Sequence, residues 1–177
     1  MTHSQTARIL AIEARRSRFG YALFEGPKRL LDWGASTVPS ELTGHLATKA
    51  AKKRIASSLR RCHPAAVVVK RPRKMKTVKG IEQGPIFEAI AREAALLRIP
   101  VYFISRAEVQ EAFRMFRGNT KEQIAEILVG IFPELFSRLP PKRKKWQPEN
   151  RGMIVFDAVA IGFAHWQRNG SQSPPPE

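Results

Sequence analysis

The sequence predicts an α/β domain built on a mixed five-stranded sheet flanked by helices, with strands 1 to 3 antiparallel and strands 4 and 5 parallel. Three observations carry this. Short apolar runs at 8–14, 20–26 and 29–36 follow one another across breaks that contain Gly20 and Gly26-Pro27, the pattern of an antiparallel meander. A continuous apolar run, AAVVV at 65–69, leads through an alanine-rich helical stretch to a second short run, VYFI at 101–104, which makes a parallel crossover unit. Beyond residue 105 the periodicity is mainly helical.

Each element has a local cause. The segment from Val38 to Cys62 changes to helical spacing, with Ser40 or Thr43 as N-cap and Leu42, Leu46, Ile55 and Leu59 marking its apolar side; the other face is strongly basic. The residues after AAVVV, KRPRKMKTVKG, read as an exposed basic loop, because so many unpaired charges are too costly to bury. A helix runs from Gly84 to Arg98 and stops at Pro100. Ser105 with Glu108, and Thr120 with Gln123, are capping boxes that open two further helices, and Pro133 breaks the second of them. A proline-rich basic loop, PPKRKKWQPENRG, precedes a last helix that starts near Met153 and carries Phe156, Ala160, Phe163 and Ala164 inward. The expected organisation is a flexible N-terminus over 1–7, one domain over 8–166 and a disordered tail over 167–177.

Composition narrows the partners. The chain has 177 residues and 43% hydrophobic content, enough for one ordinary core. Lys plus Arg number 31 against 15 Asp plus Glu, a formal charge of +16 that points to a polyanion such as nucleic acid. Cys62 is the single cysteine, which excludes an intrachain disulfide and a thiolate metal cluster. His3, His45, His63 and His165 lack the spacing of zinc ligands. With no transmembrane run and no apolar leader in MTHSQTAR, a cytoplasmic or nucleoid location is expected.

Two acids stand out. Asp157 lies among Ile154, Val155, Phe156, Ala158, Val159 and Ile161, and Glu13 ends the first apolar strand; a carboxylate in either place needs a donor or a metal. Together they are suited to share a divalent cation of the magnesium type, with phosphate oxygens completing its coordination. The plainer alternatives are pairing of Glu13 with Arg15, Arg16 or another arginine, and a local helix-start role for Asp157. The candidate nucleic-acid contacts are Arg15, Arg16 and Arg18 in the first turn; Lys70, Arg71, Arg73, Lys74, Lys76 and Lys79 in the basic loop; Lys121; and Lys142, Arg143, Lys144 and Lys145 with Trp146. Trp146 either stacks on an unpaired base or tucks into the core. Trp33 is assigned to the core, and Phe113 with Phe116 to packing or a dimer contact.

The order of these segments resembles the RuvC-like Holliday-junction resolvases of the RNase H-like superfamily. RILAIEARRSRFGYALFE looks like their opening strand pair, with Glu13 at the first acidic position. GPIFEAIAREAALLRIPVYFISRAEVQEAF, residues 84–113, resembles their alanine-rich helix, next strand and following helix. GNTKEQIAEILVGIF is similar to their glycine-plus-lysine segment and puts Lys121 at the basic position, while FDAVAIGFAHW resembles the closing helix with Asp157 as its last acid. The resemblance spans about residues 8–166 and implies an RNase H-like fold, DNA as partner, pairing of two copies, and magnesium or manganese in active members.

The same resemblance marks what is missing. Four acids form the family's site, and Lys70 and Ile154 stand here at two of the four positions. Glu82, Glu88 and Glu149 are candidate replacements, with Glu149 or Glu82 the possible third acid. Three readings follow: a binder of branched or structured DNA with a decayed site, in which Lys70 neutralises Glu13; a magnesium- or manganese-dependent junction endonuclease; and a basic structural component of a nucleoprotein assembly.

Overall fold

The computed structural model describes residues 7–15, 17–71, 76–77, 80–81, 85–144 and 146–170. Five strands form one sheet in the order β3-β2-β1-β4-β7: β1 Arg8–Ala14, β2 Arg18–Glu25, β3 Leu30–Thr37, β4 Ala66–Lys70 and β7 Val101–Ile104. The β1–β2 and β2–β3 pairs are antiparallel, and the β1–β4 and β4–β7 pairs are parallel. This is the mixed sheet that the apolar runs predict.

Side-chain alternation along β1 divides the core into two layers. Ile9 and Ala11 face one way, with Ala22, Phe24 and Val68, and are covered by α3 (Arg106–Arg114), α4 (Lys121–Ile131) and α5 (Met153–Gly170). Leu10 and Ile12 face the other way, with Phe19, Val67 and Val69, under α1 (Gly44–Cys62) and α2 (Pro85–Leu96). Both capping boxes form: Ser105 accepts from the Glu108 amide and Thr120 from the Gln123 amide, and each partner side chain returns the bond. Pro133 ends α4, and a 3-10 turn over Pro133–Arg138 follows. Trp33 is half-buried against the α5 layer.

Four expectations change. The inward face of α1 is Ala47, Ala51, Ile55 and Leu59, whereas Leu46 is 58% exposed; the helix packs closely against α2. Thr43 is the N-cap of α1, but without a side-chain bond. Within the segment expected to be one basic loop, Lys76–Thr77 (β5) and Gly80–Ile81 (β6) pair as an antiparallel hairpin, the two-residue separation being the commonest hairpin spacing. Finally, α5 continues to Gly170 and takes in the first four residues of the expected tail, since nothing in WQRN breaks a helix. Arg16, Arg73, Lys74, Lys79, Glu82, Lys145 and most of the two terminal segments lie outside the described residues, as does the side chain of Lys76.

Candidate functional site

The site is assembled by close approach of α5 to the sheet. Glu13 is paired in register with Gly20 of β2, and an added Cβ on Gly20 would meet the Ile154 carbonyl oxygen at 2.1 Å. Only glycine admits the first turn of α5 there, and Asp157 lies in the next turn. A second contact of the same kind occurs at Gly162, whose added Cβ would meet the Phe24 ring at 2.2 Å. These two glycines fix the height of α5 above β1 and β2.

Six charged side chains converge at this end of the sheet. Ile12 is in register with Val69, so Glu13 and Lys70 are neighbours across the β1–β4 ladder, and the Lys70 Nζ stands 3.5 Å from the Glu13 Oε1. Arg15, just past β1, donates from one nitrogen to Glu149 Oε1 and Asp157 Oδ2, each at 2.8 Å. Lys121, the first residue of α4, donates to the same two acids, at 2.9 Å to Asp157 and 3.1 Å to Glu149 Oε2. Glu149 comes from the loop before α5. Two cations and two acids thus form a closed ring, with the Glu13–Lys70 pair beside it. Formal charge over the six side chains sums to zero.

Burial and ion pairing compete in setting the protonation tendencies. Glu13 is 6% exposed, and its carboxyl is held above the usual range, chiefly by burial and also by the Asp157 charge; Lys70, Arg15 and Lys121 oppose this without reversing it. The influence of Asp157, Arg15 and Lys121 on Glu13 also shows that the ring and the Glu13–Lys70 pair share one electrostatic environment. Glu149 behaves oppositely: burial would raise it, but the bonds from Arg15 and Lys121 hold it below the usual range. Burial works against the Lys121 ammonium, and Asp157 and Glu149 outweigh it, so its pKa rises. Glu13 Oε2 is buried without a hydrogen-bond partner among the described residues.

The donor set does not suit a two-metal centre. Such a centre needs several free carboxylates to hold cations about 4 Å apart. Here Glu13, Asp157 and Glu149 are each bonded to a protein cation, and no group of three or more His, Cys, Asp or Glu among the described residues is arranged to hold a metal ion. Glu88 is exposed on α2, across the sheet from Asp157, and is no replacement ligand.

The other candidates are dispersed. Arg71 is exposed just beyond β4, and Arg18 is half-buried at the start of β2. Arg143 bonds Glu122 at 2.8 Å and Lys142 reaches Glu126 at 3.5 Å, so both are partly engaged with α4. Trp146 is 77% exposed beneath the Lys144 ammonium, 5.8 Å from the ring centroid, which removes the core alternative. Phe113 is buried and Phe116 is 42% exposed, with their rings 6.5 Å apart. The role of Arg15 and Lys121 as partners of the acids, rather than as phosphate contacts alone, is not legible in sequence, because it depends on a loop, a turn and a helix start meeting in space.

No protein-family model matches the chain, and no curated protein matches it. Solved structures do. Thermus thermophilus RuvC in complex with a Holliday junction substrate superposes with a TM-score of 0.68 at 20% identity, over 96% of this chain and 99% of that one. Another structure of Thermus thermophilus RuvC gives 0.66 at 21%, over 95% and 99%. The yeast mitochondrial Holliday junction resolvase Ydc2 gives 0.59 at 12%, over 92% and 81%. At these identities the likeness is one of fold: the chain has a RuvC-like, RNase H-like architecture. No helix among the described residues is long and apolar enough to cross a membrane.

Proposed function

We propose that this chain binds branched or structured DNA on a RuvC-like scaffold whose acidic site is closed by its own cations and does not cut. One observation carries the reading. Every acid at the site is matched by a protein cation, with Lys70 on Glu13 and Arg15 plus Lys121 on Asp157 and Glu149. A protein cation cannot polarise a phosphoryl oxygen and activate water as a metal pair does, but it neutralises the acids that would repel a phosphate backbone. The formal charge of +16 and the resolvase-like fold support DNA as the partner. The proposal includes a homodimer, since two-fold symmetry suits a nearly symmetric four-way substrate, and association with the nucleoid.

A second reading, a magnesium- or manganese-dependent junction endonuclease, is favoured by the unpartnered Glu13 Oε2, an acceptor left open beside the ring. Competition separates the readings. A four-way junction is expected to displace labelled junction better than linear duplex of equal length and to remain uncut in magnesium. Equal competition would end the claim of branch preference, and specific nicking would end the claim of an inactive site.

A further inference from the structure

The face of the sheet opposite the acids carries a second cationic surface. The helix α1 holds Lys49, Lys52, Lys53, Arg54, Arg60 and Arg61 and no acid. Its residues Ala50, Lys53, Arg54, Ser57, Ser58 and Arg61 fall at helical spacing and line a cleft of about 590 Å³ against β2 and β3. The floor of the cleft is constructed. Gly34 leaves room for the Tyr21 ring, whose hydroxyl would lie 3.0 Å from an added Cβ there. The Arg61 guanidinium covers that ring at 5.5 Å and is held by Asp32 at 2.5 Å, while Arg54 donates to Ser36 Oγ at 3.0 Å. The side chains of Lys53 and Ser57 are exposed and make no ion pair or hydrogen bond among the described residues. Arg54 and Arg61 are therefore held in place beside the open Lys53 ammonium and Ser57 hydroxyl, with Asp32 already engaged.

The geometry points to a second DNA-binding surface on α1, which grips the phosphate backbone of a separate duplex segment while the acid-side face holds the first. The proposal rests on the DNA-binding reading above. Charge complementarity selects the occupant: helix rise places Arg54 and Arg61 roughly 10 Å apart, about three base steps along a duplex, and with Lys53 they surround a cleft that Tyr21, Pro39 and Leu42 also line. The two surfaces lie on opposite faces because Glu13 has the parity of Ile9 and Ala11, whereas Tyr21 packs in the α1 layer. One protomer then bridges two segments, such as two arms of a branched molecule or two separate duplexes.

The test is capture. A biotinylated duplex on beads is loaded with the full chain, washed, and offered a fluorescent second duplex. The wild type is expected to capture it. Lys53→Glu with Arg54→Glu is expected to retain the first duplex and lose capture at least about tenfold. The milder pair Lys53→Gln with Arg54→Gln, checked by thermal melting, is expected to lower the log–log salt slope of capture by about 2. Capture by both variants at the wild-type level overturns the proposal, and so does retention of the first duplex with no wild-type capture, even if the cleft takes inorganic tripolyphosphate. Absence of any retention overturns the DNA-binding reading and this proposal with it.

Discussion

Replacing Lys121 with Met removes one of the two cations that close the acidic ring. Its ammonium stands 2.9 Å from Asp157 and 3.1 Å from Glu149, and after Lys121→Met Arg15 alone faces both carboxylates, so the ring carries one net negative charge. The size of the effect follows from exposure. Side-chain exposure is 40% at Lys121, 28% at Glu149 and 11% at Asp157, between a solvated pair and a buried one. Solvated pairs contribute up to about 1 kcal/mol and breaking buried ones costs about 3–5 kcal/mol, which brackets the loss near ~2 kcal/mol. For a chain of this length that is a fall in Tm of about 6 °C. The pH dependence has a definite sign. Glu149 is held below its ordinary value of 4.5 when folded, so it contributes stability that is present above that value and is lost as pH falls through the folded pKa. Lys121→Met returns Glu149 toward its ordinary value, so the difference between the two proteins is largest near neutrality and shrinks in acid. Urea titrations at several pH values read this directly. Manganese supplies a second readout: it is expected to raise the Tm of the variant, whose ring lacks a cation, and to leave the wild type unmoved. A variant within about 0.5 kcal/mol of wild type, or an equal manganese shift in both, would refute the reasoning.

Further expectations rest on other contacts. The Glu13 carboxyl is raised above 4.5 by burial, so its contribution is full below that pH and is lost as pH rises through the folded pKa. Glu13→Gln, checked by urea titration from pH 4 to 8, is therefore expected to match or exceed wild-type stability near neutrality; a loss of more than about 2 kcal/mol there would mean that the Lys70 pair outweighs burial. Gly20→Ala forces α5 off β2 and is expected to cost about 1–3 kcal/mol and to disturb the acid site, read by denaturant melts; a neutral outcome would show that the helix shifts freely. Trp146→Ala is expected to leave thermal stability unchanged while weakening binding to single-stranded or branched DNA by about 1–3 kcal/mol, measured by anisotropy, and unchanged affinity would exclude stacking.

The strand runs, both capping boxes and the break at Pro133 were readable because each depends on residues a few positions apart. The inward face of α1 was readable only in part: Ile55 and Leu59 lie in it as expected, and Leu46 does not. Leucines marked the expected stripe, whereas the packed face uses Ala47 and Ala51, which an apolar count weights lightly. Glu13 and Asp157 could be nominated from their apolar surroundings and from the resemblance, whereas Glu149 was one of three candidate replacement acids whose place in a loop the sequence does not fix. Lys70 could be named as the partner of Glu13 from the same resemblance, and it stands there; Arg15 and Lys121 could not be assigned to Asp157 and Glu149, because they reach them only through a turn and the start of α4. The basic face of α1 was visible as composition, but the cleft it forms depends on Gly34 and Tyr21 from other strands.

Incubation of a labelled four-way junction with saturating wild-type protein in manganese bears most directly on whether protein cations have replaced metals at this site. The expected result is a junction fully bound and fully intact over a long incubation. Discrete nicks that disappear in Glu13→Gln would contradict it.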